Sequence, residues 1–152
     1  RLIVADIAPV SYKHNQTEYI TAMRRVDLSQ IATRSDATNQ LAAYVSDPML
    51  QSFFTHSIDI KSKKWRLNLD ILERDMPEIL SFPDCKKTFC NSTLFLSGAE
   101  SNYVGPQHRP IIRRFFPTAK FAKIPDAGHW LHAESPRPFE SSVRAFLNMD
   151  FA

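Results

Sequence analysis

The sequence predicts an α/β fold: a parallel sheet of about three strands, with a block of helices inserted after the first strand. Three observations predict it. Strand segments stand at residues 2–5, 93–96 and 121–124; the first is a short continuous apolar run and the second a similar one, the pattern of strands buried on both faces of a parallel sheet. Helical segments separate them, so the order is strand, helices, strand, helix, strand, helix, the rhythm of right-handed crossovers. A small-residue turn carrying a histidine, Ala127-Gly128-His129, lies between the third strand and a closing amphipathic helix.

Each element has its own signal. The first strand stops at Asp6, and Pro9 forbids a simple helical continuation. Thr17 is the expected cap of a helix over 17–29 with Ile20, Met23 and Val26 on one face. Ser35 is the expected cap of the next, through Leu41, Ala42 and Val45. Asp47-Pro48 repeats the start signal for a helix holding Leu50, Phe53 and Phe54. Residues 58–68 read as a short hairpin or extended link around Lys61-Ser62-Lys63-Lys64, whose basic side chains form a solvated face. A helix from Leu69 through Ile71, Leu72, Met76 and Ile79 ends before Pro83. After the strand at Thr93-Leu94-Phe95-Leu96, a helix is expected over 109–116, a strand over 121–124 and a closing helix over 136–149. That last helix is expected to bury Phe139, Val143, Phe146 and Leu147.

Composition bounds the function classes. The 152 residues suffice for one domain with a real core. No apolar run approaches the length of a membrane-spanning helix, so no integral membrane segment is expected. Nineteen basic against sixteen acidic residues give a net charge of +3, too mild to argue for nucleic acid. Cys85 and Cys90 lack further ligands at metal spacing and read as free thiols, so no metal or other cofactor is implied. The chain enters an apolar strand at Arg1-Leu2-Ile3-Val4 without an initiator Met, which reads as a truncation.

The sharpest segment is Pro125-Asp126-Ala127-Gly128-His129-Trp130-Leu131-His132. A general base needs a loop at a strand end, within reach of a nucleophile and held by flanking packing. Gly128 is expected to turn the backbone at positive φ, Ala127 to keep space around the imidazole, and Trp130 and Leu131 to hold the loop. His129 is therefore the candidate base, whereas His132 is expected to pack or cap the following helix.

These residues carry a resemblance. The Gly128-His129-Trp130 turn, the strand at Leu94 followed by Gly98, and the terminal helix resemble the C-terminal part of the α/β-hydrolase fold superfamily. Trp65-Arg66-Leu67-Asn68-Leu69 with Ile79 and Phe82-Pro83, together with Asp6-Ile7-Ala8-Pro9-Val10 and Ser101-Asn102-Tyr103-Val104, resemble one branch. That branch holds abhydrolase domain-containing protein 11 and related small bacterial acyl esterases. The resemblance implies one hydrolase domain whose cap is the insertion at about 12–83. It also implies a Ser-His-acid triad with the Ser on a G-x-S-x-G elbow. No such elbow exists around Gly98, Gly105 or Gly128, the three glycines of the chain. The Ser is therefore expected upstream, and the chain alone is expected to be inactive.

For the acid, the common superfamily position falls at Gly98-Ala99-Glu100-Ser101, where Ser101 stands in place of the usual Asp. The resemblance favours Asp6, at the end of the first strand, with Glu100 and Asp70 as alternatives. On this reading Asp6→Asn lowers turnover and Ser101→Ala is harmless. Tyr12, Met23, Met49, Phe53, Phe54 and Trp65 suggest a hydrophobic, lipid-like acyl-ester or thioester substrate. The resemblance also implies an intracellular, mitochondrial location. The alternative is a non-catalytic binding or interaction protein derived from a hydrolase, with an exposed sheet edge inviting association.

Overall fold

The computed structural model describes residues 1–13 and 16–148. The strands and helices in chain order are β1 (Leu2–Ala5), α1 (Thr17–Arg24), α2 (Arg34–Leu41), α3 (Pro48–Thr55), β2 (Ile58–Asp59), β3 (Lys64–Trp65), α4 (Leu69–Ile79), β4 (Thr93–Gly98), α5 (Arg109–Phe115), β5 (Ala119–Ile124), α6 (Leu131–Glu134) and α7 (Pro136–Asn148). Met149, expected to end the closing helix, lies outside the described residues. The chain divides into two units, Arg1–Val10 with Pro83–Ala152, and Ser11–Phe82.

The first unit is built on a parallel sheet in the order β1-β4-β5. Leu2 to Ala5 pair in register with Thr93 to Leu96, and Thr93 to Gly98 with Ala119 to Ile124. The central strand β4 is buried along its whole length. The expectation that β1 is buried on both faces is corrected: it is half-buried, because it stands at the sheet edge with one neighbour. One face packs Leu94, Leu96 and Ile124 against Leu131 and Phe146. The other packs Phe95 and Ala119 against Ala8, Val104 and Ile112. Full burial of each such large side chain contributes about 1.5–3 kcal/mol. On α7, Phe146 is buried as expected but Leu147 is 47 % exposed. The alternation along β5 explains why two faces form: Phe121 joins the second cluster and Ala122 the first.

Two boundaries in this unit shift. The expected third strand begins two residues earlier, at Ala119, after Thr118 Oγ1 donates to Asn91 O at 2.7 Å. The preceding helix ends at Phe115, because Phe116 leaves the helical region (φ −129°, ψ 77°). Cys85 and Cys90 are free thiols.

The second unit is helical apart from the antiparallel pair β2–β3. Its helix starts differ from expectation where several hydroxyl residues compete. Thr17 is the first residue of α1 rather than its cap, and the helix ends at Arg24. Asp27 then turns extended, and its carboxylate accepts from Ser29 N to open a 3₁₀ turn over Leu28–Gln30. That local bond competes with helix continuation. Thr33, not Ser35, caps α2: its hydroxyl accepts from Asp36 N while Asp36 Oδ2 accepts from Thr33 N at 2.7 Å, a capping box. Asp47 caps α3 as expected, accepting from Met49 N at 2.8 Å ahead of Pro48. Asn68 caps α4.

In α3 the buried positions are polar. Gln51 Nε2 donates to Val45 O at 2.7 Å and Thr55 Oγ1 donates to Gln51 O at 2.9 Å, whereas Phe53 is 53 % exposed. Satisfied polar groups are cheap to bury, so the buried side of α3 need not be apolar. The core of this unit gathers Ala22, Val26, Ile31, Ala37, Leu41, Val45 and Ile58. Arg24 ties α1 to α4 through Asp70 at 2.7 Å and Glu73 at 2.8 Å.

Candidate active site

Three parallel strands end at one edge of the sheet, and the loops beyond them carry the candidate residues. β1 is followed by Asp6, whose N–H still donates to Leu96 O at 2.8 Å. The residue then takes φ +48°, the left-handed region that Asp tolerates better than most residues. The residue is buried, 1 % exposed.

Asp6 Oδ2 holds two partners. His129 Nδ1 lies 2.8 Å away, and Ser101 Oγ donates at 2.5 Å. Oδ1 is buried without a hydrogen-bond partner among the described residues. Left-handed backbone and an orphaned buried acceptor each cost free energy, and such costs concentrate at functional sites. The imidazole itself is 42 % exposed while its carboxylate partner is 0 % exposed. A carboxylate on Nδ1 selects the tautomer with the proton there, which leaves the Nε2 lone pair to accept a proton.

The histidine loop is fixed from several sides. Glu134 of α6 reaches back so that Oε2 accepts from Gly128 N at 2.5 Å and Oε1 from Trp130 N at 3.1 Å. The residues flanking His129 are thus clamped by one carboxylate. Leu131 is buried beneath, and Tyr103 stacks on the imidazole, with ring centroids 3.8 Å apart and planes at 13°. Ser101 Oγ also accepts from Tyr103 N at 3.2 Å.

The expectation for Gly128 is corrected. Positive φ falls on Asp126 (φ 52°) instead, and no glycine has it. The glycine that the loop requires most is Gly98, where an added Cβ would collide with Gly128 O. The close approach of two backbones, rather than a left-handed turn, demands glycine here.

The sequence-predicted residues separate clearly. Asp6 and His129 come together although 123 positions apart. Glu100 is exposed, and its N–H donates to Ala127 O at 2.9 Å. Asp70 pairs with Arg24 in the Ser11–Phe82 unit and is 84 % exposed. His132 packs beside Trp130 and Phe139. Ser101, expected to be dispensable, bonds the carboxylate directly. Ser101, Tyr103 and Glu134 were missed as site residues. Only Ser101's place in the usual acid position could have signalled its role.

A buried carboxylate orienting a half-exposed imidazole at the carboxyl edge of a parallel sheet is the arrangement of a hydrolase base and its partner. The chain belongs to the α/β-hydrolase superfamily and matches the C-terminal part of that fold. No family model matches it. Among known proteins it is similar to the sn-1-specific diacylglycerol lipase ABHD11 of Mus musculus, 36 % identical over 97 % of this chain and 50 % of the relative. It is also similar to the esterase YbfF of Escherichia coli, 30 % identical over 97 % of this chain and 58 % of the relative. A marine microorganism esterase of known structure superimposes with a TM-score of 0.88 at 33 % identity, covering 96 % of this chain and 60 % of that one. The chain spans about half the length of the curated relatives it matches. Among the described residues no helix is long and apolar enough to cross a membrane.

Proposed function

We propose that this chain supplies the base and acid of a Ser-His-Asp triad in a hydrolase of carboxylic esters or thioesters. The observation that carries the reading is the His129 Nδ1–Asp6 Oδ2 pair, with the carboxylate buried and the ring open. The serine lies upstream of Arg1, on a strand-to-helix elbow. It attacks the acyl carbonyl while His129 Nε2 takes its proton. Asp6 holds the ring in the required tautomer and stabilises the imidazolium. His129 then returns the proton to the leaving group and activates water to release the acyl-enzyme. No cofactor takes part.

Ser11–Phe82 corresponds in this reading to the cap insertion of such enzymes. The names of its relatives, a diacylglycerol lipase and esterases, support a lipid-like acyl substrate. An intracellular, mitochondrial location belongs to the same proposal and is supported by the resemblance to that branch alone.

The test begins with the transcript upstream of the Arg1 codon. An in-frame G-x-S-x-G between a strand and a helix, whose product reacts covalently with a fluorophosphonate at that Ser, is the expected result. A stop codon or unrelated sequence there removes the nucleophile and leaves a non-catalytic binding protein.

A further inference from the structure

A second constellation lies on the α5 side of the same unit. Arg109 and Arg113 stand one helical turn apart and share a face of α5. Both guanidinium groups lie over the ring of Phe121, 5.2 and 5.6 Å from its centroid. Lys123 follows Phe121 on the same face of β5, because strand side chains alternate. Arg109, Phe121 and Lys123, with Ser97 and Gly105, line a cavity of about 80 Å³.

A single guanidinium on an aromatic face is ordinary surface chemistry. Here two are held near one point, and Lys123 lines the adjoining cavity. All three cationic residues are exposed. None of them joins an ion pair with a carboxylate among the described residues. The sequence supplies none locally either, since no acidic residue occurs between Glu100 and Asp126. Like charges so arranged repel one another until an anion sits among them. The planar forks of arginine match the oxygens of a phosphate, and the lysine adds a point charge. The cavity has room for a group of that size. Ser97 and Lys123 are the penultimate residues of β4 and β5, so the cavity lies toward the carboxyl edge of the sheet, where ligands of open α/β sheets gather.

We propose that Arg109, Arg113 and Lys123 form a binding site for a phosphate group, carried either by a soluble phosphate ester or by a phospholipid headgroup. The site stands on its own geometry and does not depend on the hydrolase reading.

The test uses the full chain and inorganic phosphate. Phosphate raises the melting temperature of the wild type, and the Arg109→Gln/Arg113→Gln double variant needs about tenfold or more phosphate for half the effect. A control pair, Arg66→Gln/Arg137→Gln, removes the same charge elsewhere and keeps the wild-type response. Equilibrium dialysis with labelled phosphate repeats the comparison without heating, which separates lost binding from lost folding. Phosphatidylcholine vesicles with and without phosphatidic acid distinguish the two sources. Binding to the acidic vesicles that disappears in the double variant identifies a headgroup, and phosphate binding without vesicle binding identifies a soluble ester. Equal phosphate responses in all three proteins, or equal weakening in both pairs, overturns the site.

Discussion

Asp6 concentrates three costs in one residue: a left-handed backbone, complete burial and an Oδ1 without a hydrogen-bond partner among the described residues. Its Oδ2 is shared between His129 and Ser101. In the proposed hydrolase Ser101 would be a positioning residue, holding the carboxylate that holds the ring. Removing a hydrogen bond to a charged group costs roughly 1.5–3 kcal/mol. Ser101→Ala is accordingly expected to lower kcat about tenfold or more in the proposed hydrolase, with KM unchanged, and Ser101→Thr to restore part of the loss. Steady-state kinetics on the three proteins checks this. Unchanged kcat in Ser101→Ala would return Ser101 to the dispensable role that the sequence suggested.

At the scale of elements, the sequence was legible wherever a signal was local. The Asp47-Pro48 start, the hairpin over 58–68 and the buried run at β4 depend on neighbours in the chain, and each lies close to where its pattern placed it. Capping choices among adjacent hydroxyls were not legible. Whether Thr33 or Ser35 caps α2 depends on which backbone stays extended, and Thr33 does, at φ −130° and ψ 166°. The burial of Gln51 and Thr55 on α3 was not legible, because they find partners that composition does not show. The site divides the same way. His129 sits in a contiguous motif, while the bonds of Ser101 and Glu134 are matters of folded geometry.

Local aspartate turns also give the Ser11–Phe82 unit a defined acid response. The Ser29 hydroxyl and N–H hold Asp27 below its ordinary 3.8, the N–H groups of Ala32 and Thr33 hold Asp36 below it, and Ser62 holds Asp59 below it. The unfolded chain regains the ordinary value and so binds more protons in that interval. Their stabilisation is complete above the ordinary value and is lost as pH falls through the lowered values. Urea denaturation followed by circular dichroism is expected to give a flat stability down to about pH 4.5 and a decline below it. Asp36→Asn is expected to make the decline shallower. An identical acid limb in variant and wild type would contradict this assignment.

At the scale of the whole molecule, the two units carry different parts of the account. The sheet unit holds Asp6, Ser101, Tyr103, His129 and Glu134, and beside them the Arg109–Arg113–Lys123 cluster. The helical unit holds its own core and its own ion pairs. With the chain spanning about half of its curated relatives, the central claim is that His129 and Asp6 work as a pair on a serine that the rest of the protein provides. The most direct measurement is ester hydrolysis by the full-length protein and by its His129→Ala and Asp6→Asn variants, with folding checked by circular dichroism. Loss of kcat by a factor on the order of 10³ or more in both is predicted, with little change in KM. Activity in either variant within about twofold of wild type would contradict it.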